Sequence, residues 1–259
     1  MTPGADGDLR IGCVKYLNAQ PLIHGWAGPV VFDHPATLCR MLAAGSLDVA
    51  LVSSFEFLRN PVYTIADNLA VAADGPVHSV FVAHRGHFNE LDEIVVDPAS
   101  LTSVNLLRCL LAEHGSRAVL QPDGDALITG TRGRLLIGDQ ALRFRAHHGS
   151  EYHYWDLGAE WKRTTSLPFV FALWLIRPGV AAAAELAASL RQQRDANLAN
   201  IEEVVAAQHG FAPELCAYYF RDCLRFHFAD AEKQGLLLFR SLCQKHGILP
   251  PDSTPLRLL

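Results

Sequence analysis

Apolar positions along the chain fall into short runs that alternate with helix-spaced patterns. Residues 10–17 predict a strand, 21–26 a short helix and 29–32 a second strand. A helix follows over 36–44, with Leu38, Met41 and Leu42 on one face and Gly45 past its end. Residues 48–52 predict a third strand and 55–59 the start of another helix. From 62 to 85 the pattern is extended, with Gly75-Pro76 as a turn. The alternation then restarts: a strand over 93–96, a helix over 103–113 closed by Gly115, strands over 118–121 and 134–137, and a short helix near Gln140. A second extended passage covers 167–176. Beyond Val180 the pattern is helical, first an alanine-rich stretch to His209, then 213–224 and 231–246, the last closed by Gly247.

Two α/β units joined by two extended crossings, with helices at the end, predict an α/β protein of two lobes around a cleft. On this pattern residues 1–83 and 176–259 form a discontinuous lobe one, and 84–175 form lobe two. A single α/β domain with long connections is the alternative.

Length and composition narrow the class. A chain of 259 residues, half of them apolar and 19% charged, buries a large core in one or two domains. No apolar run approaches the roughly 20 residues that span a bilayer. The N-terminal MTPGADGDLR carries neither a basic leader nor an apolar stretch behind it, so a cytoplasmic protein is expected. A net charge of −5 without a Lys/Arg stripe argues against a nucleic-acid surface. The six cysteines lie far apart without a CxxC pair and read as small core residues.

The candidate chemistry sits where strands give way to helices. In an open parallel sheet ligands bind at the carboxyl ends of the strands, where free N–H groups and the helix dipole attract anions. These junctions carry Asn18 after VKYL, Ser53-Ser54 after VALV, the run from Ser100 through Thr102 and Ser103 after IVVDPA, and Asp139 after LLIG. Each residue is also a good helix N-cap, and for any single junction that alternative stands. Four together, two in each expected lobe, favour a small polar ligand held in the cleft. Weaker candidates are the histidine-rich AHHGSEYHYWD (146–156), read as an exposed loop because its spacing is not that of a metal motif, and Glu56, either a base or a first-turn carboxylate complementing the helix dipole. No GK[ST] phosphate loop and no GxSxG elbow is present.

The blocks YLNAQPL, DVALVSSFEF, DGPVHSV, SLTSVNLL, LLIGDQAL and YWDLGAEWKRTTSLPFVFALW, in this order between about residue 10 and 176, resemble the chorismate dehydratase family of the futalosine route to menaquinone. Lys15, where a small polar residue is usual, and His84-Arg85, in place of a more apolar strand end, depart from the pattern. The resemblance implies a type 2 periplasmic-binding-protein fold and a lyase that converts chorismate to 3-[(1-carboxyvinyl)oxy]benzoate. Loss of the proton at the ether-bearing carbon, then of the neighbouring hydroxyl, leaves an aromatic ring, so no metal or redox cofactor is expected. The protein has to hold two carboxylates, stabilise charge pushed onto one of them, and assist departure of hydroxide.

For these tasks the resemblance and the junctions together nominate Ser79, Thr102 and Ser103, with Ser53 and Ser54, as substrate-binding residues. Asn18 is expected to orient the substrate or the leaving hydroxyl. Asp139 is a base, an orienter or a cap, and the substrate's own enolpyruvyl carboxylate is a second candidate base. A non-catalytic small-anion receptor of the same fold, a regulator's sensing domain and the sister enzyme 1,4-dihydroxy-6-naphthoate synthase are the competing classes. Chorismate is the one expected partner, and a monomer or weak homodimer the expected state.

Overall fold

A computed structural model describes residues 9–122 and 127–259. The leader reading of the first residues therefore rests on positions mostly outside the described ones. Strand β1 (Ile11–Val14) is buried throughout, as a strand covered on both faces must be. It is shorter than expected. A 3₁₀ turn, Leu17–Ala19, and helix α1 (Gln20–Ile23) begin at once behind it. Strand β2 (Val30–Asp33), helix α2 (Pro35–Ala43), strand β3 (Val49–Ser53) and helix α3 (Ser54–Arg59) complete the first run.

The passage expected as a single extended crossing is two strands in different sheets. Strand β4 (Thr64–Ala73) stays with the first sheet, and β5 (Val80–His84) opens the second. Then come β6 (Glu93–Val95), α4 (Leu101–Glu113), β7 (Val119–Gln121), β8 (Arg132–Ile137) and α5 (Gly138–His148). The histidine-rich segment is not a loop. It forms the end of α5, a 3₁₀ turn and strand β9 (His153–Asp156), whose backbone pairs antiparallel with β5. Backbone pairing at a sheet edge needs no apolar alternation, which is why polarity alone pointed to a loop. Helix α6 (Leu157–Thr165) leads into β10 (Phe169–Ile176).

The first sheet runs β2-β1-β3-β10-β4 and the second β7-β6-β8-β5-β9. In each, a parallel trio is completed by antiparallel strands: β10 against β3 and β4, and β5 against β8 and β9. The chain changes sheets between Ala73 and Val80 and again between Thr165 and Phe169. Both passages precede the expected seams at 83/84 and 175/176, because β5 and β10 lie beyond the crossings and not within them.

Helices α7 (Ala183–Ala199), α8 (Ile201–Ala206), α9 (Pro213–Tyr218) and α10 (Asp230–Lys245) cover the first sheet and the seam, with a π-helical turn, Tyr219–Cys223, behind α9. All six cysteines are free and buried. Among the described residues no helix is long and apolar enough to cross a membrane.

Candidate active site

The carboxyl ends of β1, β3, β6 and β8 converge on one cleft, and a helical turn starts behind each. Ser53 and Ser100 occupy the N-cap positions of α3 and α4, yet neither side chain makes a capping hydrogen bond. Asn18 lies inside its 3₁₀ turn, and Asp139 lies in the first turn of α5. Capping therefore does not account for the polar residues at these junctions.

The cleft holds about 590 Å³ of empty space, open solvent at its mouth included. Its walls are apolar, with Val14, Val71, Val80, Ile137, Phe171 and Leu224 among them. The polar atoms facing it come from Tyr16, Asn18, Ser53, Ser79, Ser100, Thr102 and Ser103. No Lys or Arg among the described residues lines it, so an anion there would depend on neutral donors and on the α4 N-terminus, whose first N–H groups have no intrahelical acceptor.

Hydrogen-bond direction separates the hydroxyls. The Thr102 hydroxyl donates to the Phe171 carbonyl at 3.1 Å and accepts the Phe55 N–H at 3.3 Å. With the Thr102 proton so placed, the 2.5 Å contact between the Ser53 and Thr102 hydroxyls has Ser53 as donor. Ser54 donates to the Val170 carbonyl at 2.7 Å, is fully buried, and does not face the cleft. Three of the five expected binding hydroxyls thus have their protons committed within the protein. Thr102 fastens lobe two to the β3–α3 junction and to β10. It has no proton for a carboxylate except its backbone N–H, and Ser54 is a structural residue.

The remaining polar atoms are different. The buried Asn18 Oδ1 and Ser100 Oγ have no hydrogen-bond partner among the described residues, an arrangement that costs folding free energy unless a ligand supplies the partner. Ser103, 6% exposed at the start of α4, has no side-chain partner among the described residues. Ser79, 1% exposed, accepts a hydrogen bond from the Tyr219 hydroxyl at 2.6 Å, which leaves its own proton available. The sequence marks Ser100 only as part of its junction run, and it does not single out Tyr16 or Tyr219 at all. The N-cap position of Ser100 was visible there, but the orphaned hydroxyl that sets it apart was not.

Asp139 stands at the outer edge. One carboxylate oxygen accepts the Leu17 N–H at 2.8 Å, which joins α5 of lobe two to the 3₁₀ turn of lobe one. Burial pushes the Asp139 carboxyl up, opposed by the Leu17 hydrogen bond and the Arg143 charge. It lines a second cavity, adjoining the cleft at Tyr16 and Ile137, with Lys15, His34, Asp97 and Arg143. Gly138 adopts φ +56°, a left-handed conformation that favours glycine, while a Cβ there would only reach ordinary contact with the Tyr16 ring at 3.4 Å, so backbone conformation and not lack of space selects glycine at the start of α5. Burial, then Asp139 and Asp97, push the Tyr16 phenol up to about 12.

Glu56 is buried against the Arg59 guanidinium, whose Nε donates at 2.7 Å, and is structural. Among the described residues, no three His, Cys, Asp or Glu side chains are grouped to hold a metal ion.

The family model described as menaquinone biosynthesis matches residues 9–245. A relative named chorismate dehydratase from Thermus thermophilus is 32% identical, with 88% of this chain and 93% of the relative covered. Among solved structures, an Archaeoglobus fulgidus protein superposes with a TM-score of 0.74 at 16% identity, covering 93% of this chain and 98% of that one. The periplasmic aliphatic sulphonate binding protein of Escherichia coli does so with a TM-score of 0.60 at 14% identity, covering 94% and 88%. These two likenesses concern the fold alone, and they place the two lobes and their cleft in the periplasmic-binding-protein architecture. With nearly the whole described chain inside the matched region, the protein belongs to the menaquinone biosynthesis family.

Proposed function

We propose that the protein is a chorismate dehydratase, a lyase that removes water from chorismate to give 3-[(1-carboxyvinyl)oxy]benzoate. The observation that carries this beyond family membership is the pair of buried, partnerless polar atoms, Asn18 Oδ1 and Ser100 Oγ, in an apolar cleft beneath the α4 N-terminus. Such a cleft suits an apolar ring edged with carboxylates and one hydroxyl.

In this reading Ser79, Ser100, Ser103 and the first N–H groups of α4 hold the carboxylates. As the ether-carbon proton leaves, charge moves through the ring diene onto the ring carboxylate. Donors fixed before the reaction, together with the helix dipole, stabilise that charge. Asn18, offering both a donor and an acceptor, orients the hydroxyl that departs, and Ser53 accepts from it. Among the described residues, the side chains lining the inner cleft include no carboxylate or imidazole, and the Tyr16 phenol stays protonated near neutrality and cannot serve as a base. The enolpyruvyl carboxylate of the substrate therefore takes the proton. Asp139 holds the lobes together at the mouth. The reaction belongs to the futalosine route in the cytoplasm, and the working form is a monomer or weak homodimer.

The test is to add chorismate to purified protein and follow ultraviolet absorbance for an aromatic product. Steady conversion supports the lyase. Saturable binding of chorismate without conversion would make the protein a receptor.

A further inference from the structure

The C-terminal helices reach the cleft through two consecutive tyrosines at the end of α9. The Tyr218 hydroxyl lies 2.8 Å from His78 Nε2, and the Tyr219 hydroxyl donates to Ser79 Oγ at 2.6 Å. Neighbouring residues of one segment thus grip neighbouring residues of another, the connection between β4 and β5.

That connection is fixed from other sides as well. The Asp156 carboxylate accepts the Val77 and His78 N–H groups at 3.0 and 2.8 Å while it caps α6 through the Ala159 N–H at 3.0 Å. The Ser79 carbonyl accepts the Gly138 N–H at 2.7 Å. His78 sits at φ +61°, a conformation that a non-glycine residue keeps only when its surroundings impose it. Tyr219 itself begins the π-helical turn Tyr219–Cys223, and such turns are frequent at functional sites.

A serine hydroxyl has one proton and accepts through its lone pairs. Tyr219 is the donor in its bond to Ser79, and no described protein group accepts the Ser79 proton. Ser79 lines the cleft, so that proton is available to whatever the cleft holds. We propose that Tyr219 is a positioning residue for the dehydration: by donating to Ser79 Oγ it commits the Ser79 proton to a substrate carboxylate. This rests on the cleft being the chorismate site. Full burial pushes the Tyr219 phenol up, so it remains a donor throughout the working range.

A cycle of Tyr219→Phe, Ser79→Ala and the double variant tests this through kcat and KM for chorismate. Loss of one aimed hydrogen bond should lower kcat/KM about 5- to 30-fold for Tyr219→Phe in the wild-type background. With Ser79→Ala already present, the same change should cost less than about twofold, because the proton it aims is gone. Equal losses in both backgrounds, or no loss in either, would overturn the role of Tyr219. Should Tyr219→Phe not fold, uniform 3-fluorotyrosine labelling strengthens the donor with little steric change. It should then alter KM in the Ser79 protein and not in Ser79→Ala, and equal effects in both would overturn the proposal. Failure of the wild-type protein to convert chorismate would overturn the functional reading itself, which separates the two outcomes.

Discussion

Replacing Thr102 by valine tests the hydrogen-bond directions assigned in the cleft. Valine keeps the shape and puts a methyl where the hydroxyl stands. The change removes the acceptor of the buried Phe55 N–H and the donor to the Phe171 carbonyl, and frees the Ser53 proton. A buried donor left without a partner costs about 1–3 kcal/mol and the lost bond to the carbonyl about 1 kcal/mol more, so roughly 2–4 kcal/mol in all. That is a large share of the roughly 5–15 kcal/mol that holds a folded protein together. Ser103→Ala removes a hydroxyl with no protein partner, and stability should stay within about 0.5 kcal/mol of wild type. Its effect should fall on the ligand: a hydrogen bond to a carboxylate is worth about 1.5–3 kcal/mol, or roughly a ten- to hundredfold rise in the chorismate KM. Urea unfolding and steady-state kinetics on the two single variants separate the effects. A Thr102→Val protein with a wild-type midpoint and lost chorismate affinity would refute the assignment, since the hydroxyl would then serve the substrate and not the seam.

Asn18→Ala should lower turnover sharply, and Asn18→Asp should also weaken binding. Thermal denaturation of Asn18→Ala should show unchanged or slightly higher stability, because the alanine variant no longer buries a partnerless acceptor. Asp139→Asn keeps an acceptor for the Leu17 N–H while removing a charge that burial disfavours. A carboxyl whose folded pKa is raised stabilises the fold when protonated and loses that contribution as pH rises through the folded value. The asparagine variant should therefore melt higher than wild type at pH 7, and the gain should vanish in acid below about pH 4. Its turnover should fall less than tenfold, against the roughly 10²–10⁴ that removal of a general base costs. Asp48 behaves in the opposite sense: hydrogen bonds from the Arg10 side chain and backbone and from Arg177 hold its carboxyl well below the usual range. Its stabilisation is present above the unfolded carboxylate value and lost as pH falls through the folded one. Asp48→Asn should accordingly lower the melting temperature at neutral pH, with the difference shrinking in strong acid.

Local pattern made the junctions legible. Short apolar runs followed by helix-spaced positions located the ends of β3, β6 and β8 closely, though the expected first strand runs on to Leu17, past its end at Val14, and with these junctions came Asn18, Ser53, the Ser100–Ser103 run and Asp139. What local pattern does not contain is pairing between distant segments. Strand β10 inserts antiparallel between β3 and β4, pairing segments about a hundred residues apart or more, so its apolar run looked like a crossing and the seams were expected too late. Strand β9 is held by backbone bonds to β5 and carries histidine and tyrosine, which hid it. Side-chain roles were legible only as residue type. Composition marks Ser53, Ser54, Ser79, Ser100, Thr102 and Ser103 alike as hydroxyls, whereas the partner of each proton sorts them into fasteners and ligand contacts. Tyr219 lies 140 positions from Ser79 and carried no signal at all.

Proton NMR of chorismate incubated with the purified protein tests the central claim most directly, because it resolves the ring and the side chain of the substrate together. Dehydration predicts that the signals of the two sp³ ring positions disappear together, that a meta-substituted aromatic pattern replaces them, and that the enolpyruvyl methylene signals persist in the product. The Asn18→Ala protein should produce the same pattern far more slowly. Release of free pyruvate, formation of a non-aromatic rearrangement product, or broadened but unconverted chorismate signals would each contradict the account.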